Sequence, residues 1–184
     1  MFIIKNNYYL YIENLNDIAI QSLKNSKKIN IIYRNPKCKN INNLIKFKKK
    51  CQQKKIKLFI ANNLSIAKKI NADGLYISAY NKKKYYCNIL KIGSAHNIKE
   101  MREKINQDCK EIIFSRLFQT NYSFKKSFLG IIKFNLLSIN LKRNIVPLGG
   151  INHNNLMKLN IVKSNGCAFL SSLKKKPAIS SRLF

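Results

Sequence analysis

Short apolar runs alternate along this chain with longer stretches that place apolar residues three and four positions apart. The short runs, rich in isoleucine, leucine, tyrosine and phenylalanine and bounded by polar turns, predict strands at 8–12, 29–33, 58–61, 74–77, 89–92, 112–114, 145–148 and 167–170. The longer stretches predict amphipathic helices at 14–27, 40–55, 64–70, 98–107, 128–140 and 152–162. Within 14–27 the spacing is carried by Leu15, Ile18, Ala19 and Leu23, and lysines close the segment as a helix C-terminus favours. Asn97 followed by Glu100 marks a capping-box start for the helix at 98–107. The stretch 79–88 has the weakest pattern and reads as a loop with a reduced helix. Strands that are apolar on both faces, each followed by a helix, make a parallel sheet covered by helices. About eight such units is the count of a closed (β/α)8 barrel, so the chain is expected to be an α/β protein, a single TIM-type barrel. With 184 residues that barrel is lean. It would occupy residues 1–173, with its last helix missing or stunted, ahead of a basic tail at 174–184.

The richest stretch is 145–173, where an apolar run ends in Gly149 and Gly150, a helix follows, and a second apolar run opened by Gly166 ends at Ser171 and Ser172. Glycine lets the backbone approach a ligand closely, and a helix beginning at that turn would aim its unpaired N–H groups at the same spot. Two adjacent strand ends carrying glycine and serine therefore form a candidate phosphate cradle, in the place where barrels commonly hold one. The alternative is an ordinary βαβ unit whose glycines only make tight turns.

Composition changes this picture little. The 46% hydrophobic content belongs to a globular chain rather than a disordered one. No apolar run spans a bilayer, and no basic segment precedes a long apolar core at the N-terminus, so no membrane association and a cytoplasmic location are the default expectation. Cys38, Cys51, Cys87, Cys109 and Cys167 are scattered and include no C-x-x-C pair, which points to neither a zinc site nor a disulfide framework. The net charge of +29, from 36 basic and 7 acidic residues, would ordinarily suggest nucleic acid. Here the lysines are spread through nearly every predicted element beside abundant asparagine and isoleucine, as A/T-rich codon usage produces. Only the run 82–84 abuts aromatics, Tyr85 and Tyr86, a poor stacking platform. Specific nucleic-acid binding is therefore not expected, whereas a cationic field favours small anionic ligands. Self-association into a homo-oligomer is compatible with the sequence and not fixed by it.

Polar residues collect at the C-terminal ends of the predicted strands, which converge on one mouth in a parallel barrel. Arg34 offers a planar fork suited to phosphate oxygens, and Lys37 a mobile charge beside it. Asn62, Ser94 and Thr120 are neutral groups able to orient an oxyanion or a heterocycle. His96, one of two histidines, can shuttle a proton near neutral pH or merely sit bonded at a helix terminus. Carboxylates are nearly missing from these ends; Glu13 is the exception.

With these residues in view, the chain resembles the thiamine phosphate synthase and thiazole tautomerase (TenI-like) superfamily. The matching segments are I-Y-R at 32–34, F-I-A-N-N at 59–63, A-D-G-L-Y-I at 72–77, I-G-S-A-H-N at 92–97, F-Q-T at 118–120, P-L-G-G-I at 147–151, and 166–171, in the family's order and spacing. The resemblance implies a barrel that binds a thiazole phosphate at Gly149, Gly150 and Ser171. It further implies a pyrimidine pyrophosphate held opposite by Arg34, Asn62 and Mg²⁺, with Arg34, Ser94 and His96 as catalytic candidates and Asn62 and Thr120 as binding residues. In the synthase reaction pyrophosphate leaves and the thiazole nitrogen captures the resulting pyrimidine-methyl cation. Several positions depart from that pattern. The family's metal-binding aspartates fall on Asn63 and Asn81, so Mg²⁺ would be held weakly and lysines would have to stand in for it. The expected lysine near Arg34 falls on Pro36, with Lys37 one place on, and the one after Thr120 falls on Ser123, with Lys125 and Lys126 as substitutes. His96 falls where the tautomerase branch places its acid/base histidine. The resemblance thus leads to a synthase-like transferase acting on small phosphorylated substrates in thiamine biosynthesis. A metal-independent tautomerase and a non-catalytic phosphate-binding barrel are the alternatives.

Overall fold

Eight strands close into a barrel in sequence order: β1 (Asn7–Ile12), β2 (Ile29–Tyr33), β3 (Lys57–Ala61), β4 (Gly74–Ile77), β5 (Leu90–Ala95), β6 (Glu111–Ser115), β7 (Asn144–Leu148) and β8 (Gly166–Phe169). Every neighbouring pair is parallel, and β8 returns to β1 with Tyr8 opposite Cys167 and Leu10 opposite Phe169. The computed structural model describes residues 5–23, 26–35, 40–120, 127–141, 143–152 and 154–169. The expected α/β barrel is thus observed; the last helix and the basic tail, expected beyond residue 169, lie outside the described residues.

Closure follows from the two-residue side-chain period of a strand. In β1, Tyr8, Leu10 and Ile12 face the outer apolar layer, while Tyr9 and Tyr11 fill the barrel interior with Phe59, Tyr76, Ile92 and Val146. The outer layer is covered by α1 (Ile41–Gln53), α2 (Leu64–Lys69), α3 (Ile98–Asn106) and α4 (Gly130–Asn140). Asparagine starts three of them: Asn40, Asn63 and Asn97 each accept a backbone N–H from the first turn. Among the described residues, no helix is long and apolar enough to cross a membrane.

Two predicted helices do not form as such. The described residues of 14–27 give separate 3-10 turns, Leu15–Asp17, Ile20–Ser22 and Ser26–Lys28. Asp17 Oδ2 accepts from the N–H groups of both Glu13 and Asn14 at 2.9 Å, a capping box that starts the first turn, and the extended backbone of Ile18, with φ of −141° and ψ of 129°, ends it. Residues 152–162 give only a 3-10 segment, Leu156–Ile161. Ahead of it, Asn152 Oδ1 accepts from the N–H groups of Asn154 and Asn155, and Asn155 Oδ1 accepts from that of Asn152. The stretch 79–88 contains no helix. Strand β5 begins one residue later and ends three residues later than its pattern suggested, because Gly93, Ser94 and Ala95 continue the pairing with Ile112, Ile113 and Phe114 of β6. A Cβ on Gly93 would lie 2.9 Å from the Lys104 stem, which explains a glycine inside a strand.

Four lysines are buried among the described residues: Lys5, Lys48, Lys91 and Lys104. Lys48 of α1 pairs with Asp73, just before β4. Lys5 Nζ donates instead to the carbonyls of Val162 and Ser164 at 2.9 and 3.0 Å, and Lys91 Nζ to the Tyr85 carbonyl at 3.2 Å, with Asp108 at 3.5 Å. Lys104 Nζ donates to the Asn81 carbonyl at 2.7 Å and to Gln107 Oε1 at 2.9 Å. Burial pulls Lys5 and Lys104 below the ordinary lysine range.

Candidate active site

The strands' C-terminal ends form a mouth whose floor is a chain of hydroxyls. Tyr11 and Tyr76, inward-facing on β1 and β4, meet edge to face with ring centroids 5.5 Å apart. Tyr11 Oη donates to Tyr76 Oη at 3.3 Å, and Tyr76 Oη donates to Ser94 Oγ at 2.8 Å. Burial, with Tyr76 beside it, pushes the Tyr11 phenol well above its ordinary range, so it stays a neutral donor. Ser94 is buried in this floor rather than standing beyond a strand end. Arg34, the first residue past β2, lies over the Tyr11 ring with Cζ 5.8 Å from the centroid. Its Nη2 is 3.5 Å from Glu13 Oε1, an exposed pair.

A second group surrounds Asn62, whose φ of 57° lies in the left-handed region that asparagine tolerates. Asn62 Oδ1 accepts from the Ser78 N–H and from Asn81 Nδ2, both at 2.9 Å, and Asn62 Nδ2 donates to Ser78 Oγ at 3.0 Å. Asn81 Nδ2 also donates to Tyr85 Oη at 2.9 Å, and Tyr85 Oη donates onward to the Asn62 carbonyl at 3.0 Å. The positions that would carry a metal are both engaged. Asn63 Oδ1 caps α2 by accepting the Ile66 N–H, and Asn81 Oδ1 accepts the Lys83 N–H, each at 2.9 Å. Among the described residues, no three histidine, cysteine, aspartate or glutamate side chains cluster as a metal site. Two neutral amide oxygens already holding N–H groups are not the donor set that Mg²⁺ takes, which includes one or two carboxylates.

The third group lines a cavity of about 620 Å³ that includes Tyr80, His96, Glu100, Arg116, Thr120 and Gly149. Glu100 Oε2 accepts the His96 backbone N–H at 2.7 Å and lies 3.0 Å from His96 Nδ1, while its Oε1 accepts from Asn97 Nδ2. The predicted capping box is therefore shifted by one residue: Asn97 accepts the Glu100 N–H, but Glu100 reaches back to His96 instead. Burial alone would raise the Glu100 carboxyl; the His96 N–H, the imidazole and Asn97 outweigh it and hold the group below its ordinary value. With the carboxylate ionised, a neutral imidazole carries its proton on Nδ1 and leaves Nε2 as the basic atom. Tyr80 stands against it, ring centroids 5.9 Å apart. Arg116 Nη1 donates to Thr120 Oγ1 at 3.0 Å.

His96, Thr120 and Gly149 thus share one cavity, Ser94 joins Arg34 through Tyr11 and Tyr76, and Asn62 belongs to the Asn81 network. On its Cβ side Gly150 packs against the loop after β6. A Cβ there would come within 2.4 Å of the Phe118 carbonyl oxygen and 2.5 Å of that of Gln119, so this glycine is a packing contact with the loop after β6. The N–H groups expected to converge on the double glycine from a helix start are taken up by Asn152 and Asn155 side chains. Ser171 and Lys37 lie outside the described residues. Arg116 went unnoticed in the sequence, although it is the first residue past β6 as Arg34 is the first past β2. Since β2 and β6 are four strands apart in an eight-stranded barrel, the two arginines stand on opposite sides of the mouth.

A family model described as Thiamine monophosphate synthase matches residues 12–173. Thiamine-phosphate synthases from Methanococcus vannielii and Methanococcus maripaludis are 28% and 26% identical over 120 residues, which is 62% of this chain and 58% of each relative. The matched part is thus less than two thirds of those relatives' length. Among solved structures, thiamine phosphate pyrophosphorylase from Pyrococcus furiosus superposes with a TM-score of 0.73 at 15% identity, covering 97% of this chain and 92% of that one. A 3-keto-L-gulonate-6-phosphate decarboxylase from Vibrio cholerae gives 0.67 at 13% identity, with 98% and 96% covered. At these identities the structural likenesses speak for the fold.

Proposed function

We propose, from the premise that this chain belongs to the thiamine monophosphate synthase family, that it joins a hydroxymethylpyrimidine pyrophosphate to a thiazole phosphate. The observation that carries this reading is the pair of arginines on opposite sides of a mouth floored by neutral hydroxyls, which suits two anionic substrates. The methylene C–O bond of the pyrimidine substrate breaks with its electron pair leaving on pyrophosphate. The thiazole nitrogen then donates its lone pair to the methylene carbon, forming the C–N bond. Neither step transfers a proton to the protein. Arg34 stabilises the charge that develops on the departing oxygen. Arg116, Thr120 and the Gly149 turn receive the thiazole phosphate, and Tyr11, Tyr76 and Ser94 orient the pyrimidine. Arg34→Ala is expected to lower thiamine phosphate formation by roughly a hundredfold or more, because leaving-group stabilisation is a large catalytic contribution. Replacing His96 by alanine should cost the same step little.

A second reading, isomerisation of a thiazole phosphate, is favoured by the His96–Glu100 pair, which leaves one basic ring nitrogen for moving a proton between ring positions. It predicts the reverse pattern: His96→Ala abolishes isomerisation, whereas Arg34→Ala acts on binding alone. Assaying both products in wild type and both variants separates the readings. Silence in both assays leaves a phosphate-binding barrel without chemistry.

A further inference from the structure

We infer that this mouth takes its phosphorylated ligand without a divalent cation, because position 81 must be an amide for the loop after β4 to hold its shape. The inference rests on reading the mouth as a site for phosphorylated ligands. Backbone N–H groups set the direction of the main hydrogen bonds around Asn81. The Lys83 N–H can only donate, so it holds Asn81 Oδ1 and turns Nδ2 towards Asn62 and Tyr85. Asn62 cannot reverse its own amide, since its Oδ1 also accepts the Ser78 N–H. Tyr85 Oη already donates to the Asn62 carbonyl, so towards Asn81 it is an acceptor. Two acceptors therefore face one side chain, and only an amide supplies the donors. Aspartate there would set an anionic oxygen against Asn62 Oδ1, and Tyr85 Oη could meet it only by turning its proton away from the Asn62 carbonyl.

The ground beneath the loop is also unsuited to a second cation. Lys104, fully buried, places its ammonium 2.7 Å from the Asn81 carbonyl, and Gln107 Nε2 donates to the same oxygen at 2.9 Å. Its hydrogen-bond partners are that carbonyl and the Gln107 amide oxygen, and no carboxylate among the described residues bonds it directly. The backbone oxygen at position 81 is thereby occupied together with its side-chain oxygen. The positive charge a bound anion needs comes instead from Arg34 and Arg116 on the two rims, as fixed charges that need no metal to bridge them.

Calorimetric titration of inorganic pyrophosphate into the full-length chain, in EDTA and in Mg²⁺, tests this directly. At about 0.15 M salt, which screens the diffuse surface lysines, the two affinities are expected to agree within about threefold. Arg34→Ala should weaken pyrophosphate binding in EDTA by about tenfold or more, while Arg116→Ala, on the thiazole-phosphate side, should leave it within about threefold. Affinity that appears only with Mg²⁺, or rises about tenfold with it, overturns the inference, as does binding that Arg34→Ala leaves untouched. No binding in either buffer overturns it together with the reading of the mouth. Pyrophosphate binding that is indifferent to Mg²⁺, beside failure to form thiamine phosphate, removes the proposed reaction and supports this inference. A melting comparison stands apart from any ligand. Asn81→Asp should lower the melting temperature by about 5 °C, while Asn63→Asp should stay within about 1 °C, since asparagine and aspartate cap a helix equally well. Equal stability of the two variants would show that an amide is not required at 81.

Discussion

Alanine at Gly150 is expected to destabilise the fold by about 3 kcal/mol or more, whereas alanine at Gly130 should cost only about 1 kcal/mol. Both glycines have left-handed backbones, with φ of 70° and 76°, so the torsional penalty of adding a Cβ is nearly the same. Their surroundings differ. At Gly130 nothing lies within 4 Å of the added atom, while at Gly150 it meets two backbone carbonyl oxygens. Carbonyls held in a loop cannot rotate aside as a side-chain tip can, so relief requires moving residues 118 and 119. Urea unfolding of the two variants measures the difference, and equal midpoints with equal slopes would remove the steric argument. The outcome bears on function as well. A Gly150 variant that loses phosphate binding reports a displaced loop, not a missing cradle. Gly149 is no cleaner a probe, because its φ is 94° and an added Cβ would lie 2.9 and 3.2 Å from Arg116 Cγ and Cβ, the near end of a proposed binding residue.

Removing the carboxylate of Asp73 should cost about 3 kcal/mol, and removing its partner Lys48 much less. Lys48 is almost wholly buried, while a third of the Asp73 side chain remains exposed. The carboxylate also accepts the Leu58 N–H at 2.7 Å, tying the start of β3 to the turn before β4. Asp73→Ala therefore strands a buried ammonium and an N–H together. Lys48→Met removes the buried charge itself and leaves a carboxylate that water can reach, so it is expected to stay within about 1 kcal/mol of wild type. Chemical denaturation of the two single variants reads the asymmetry directly. Comparable losses would mean that the pair acts through its mutual attraction and not through the burial of one member. This contact sits at the barrel face opposite the mouth, where residues serve stability.

The barrel was legible because its strands are short, apolar and bounded by polar turns, as at 29–33 and 74–77, where the pattern and the observed elements coincide. Helices were legible where alanine-like or straight-chain residues dominate, as in α1 and α3. They were not at 14–27, where the apolar spacing is helical but the backbone turns extended at Ile18, Ala19 and Leu23 and leaves only single 3-10 turns. Residue spacing placed Ser94 outside its strand, because a glycine within a strand looks like its end; the buried Lys104 stem that makes Gly93 necessary comes from eleven residues away. The site was legible as a set of strand ends and not as a geometry. That His96 answers to Glu100, and that Asn62 is bound into the Asn81 network, depend on loop paths that periodicity does not encode. Arg116 had a signal, its place immediately after β6.

The inward-facing lysines alter what the formal charge of +29 means. With 7 acidic residues in the whole chain, most ammonium groups have no carboxylate within reach. Lys5, Lys91 and Lys104 instead use main-chain carbonyls as their principal counter-dipoles. A carbonyl is present at every position whatever the side chain, so a strand or helix position can drift towards lysine without a matching drift towards aspartate elsewhere. Such a chain accumulates cations faster than it accumulates surface field, because part of the added charge is folded into the wall of the barrel.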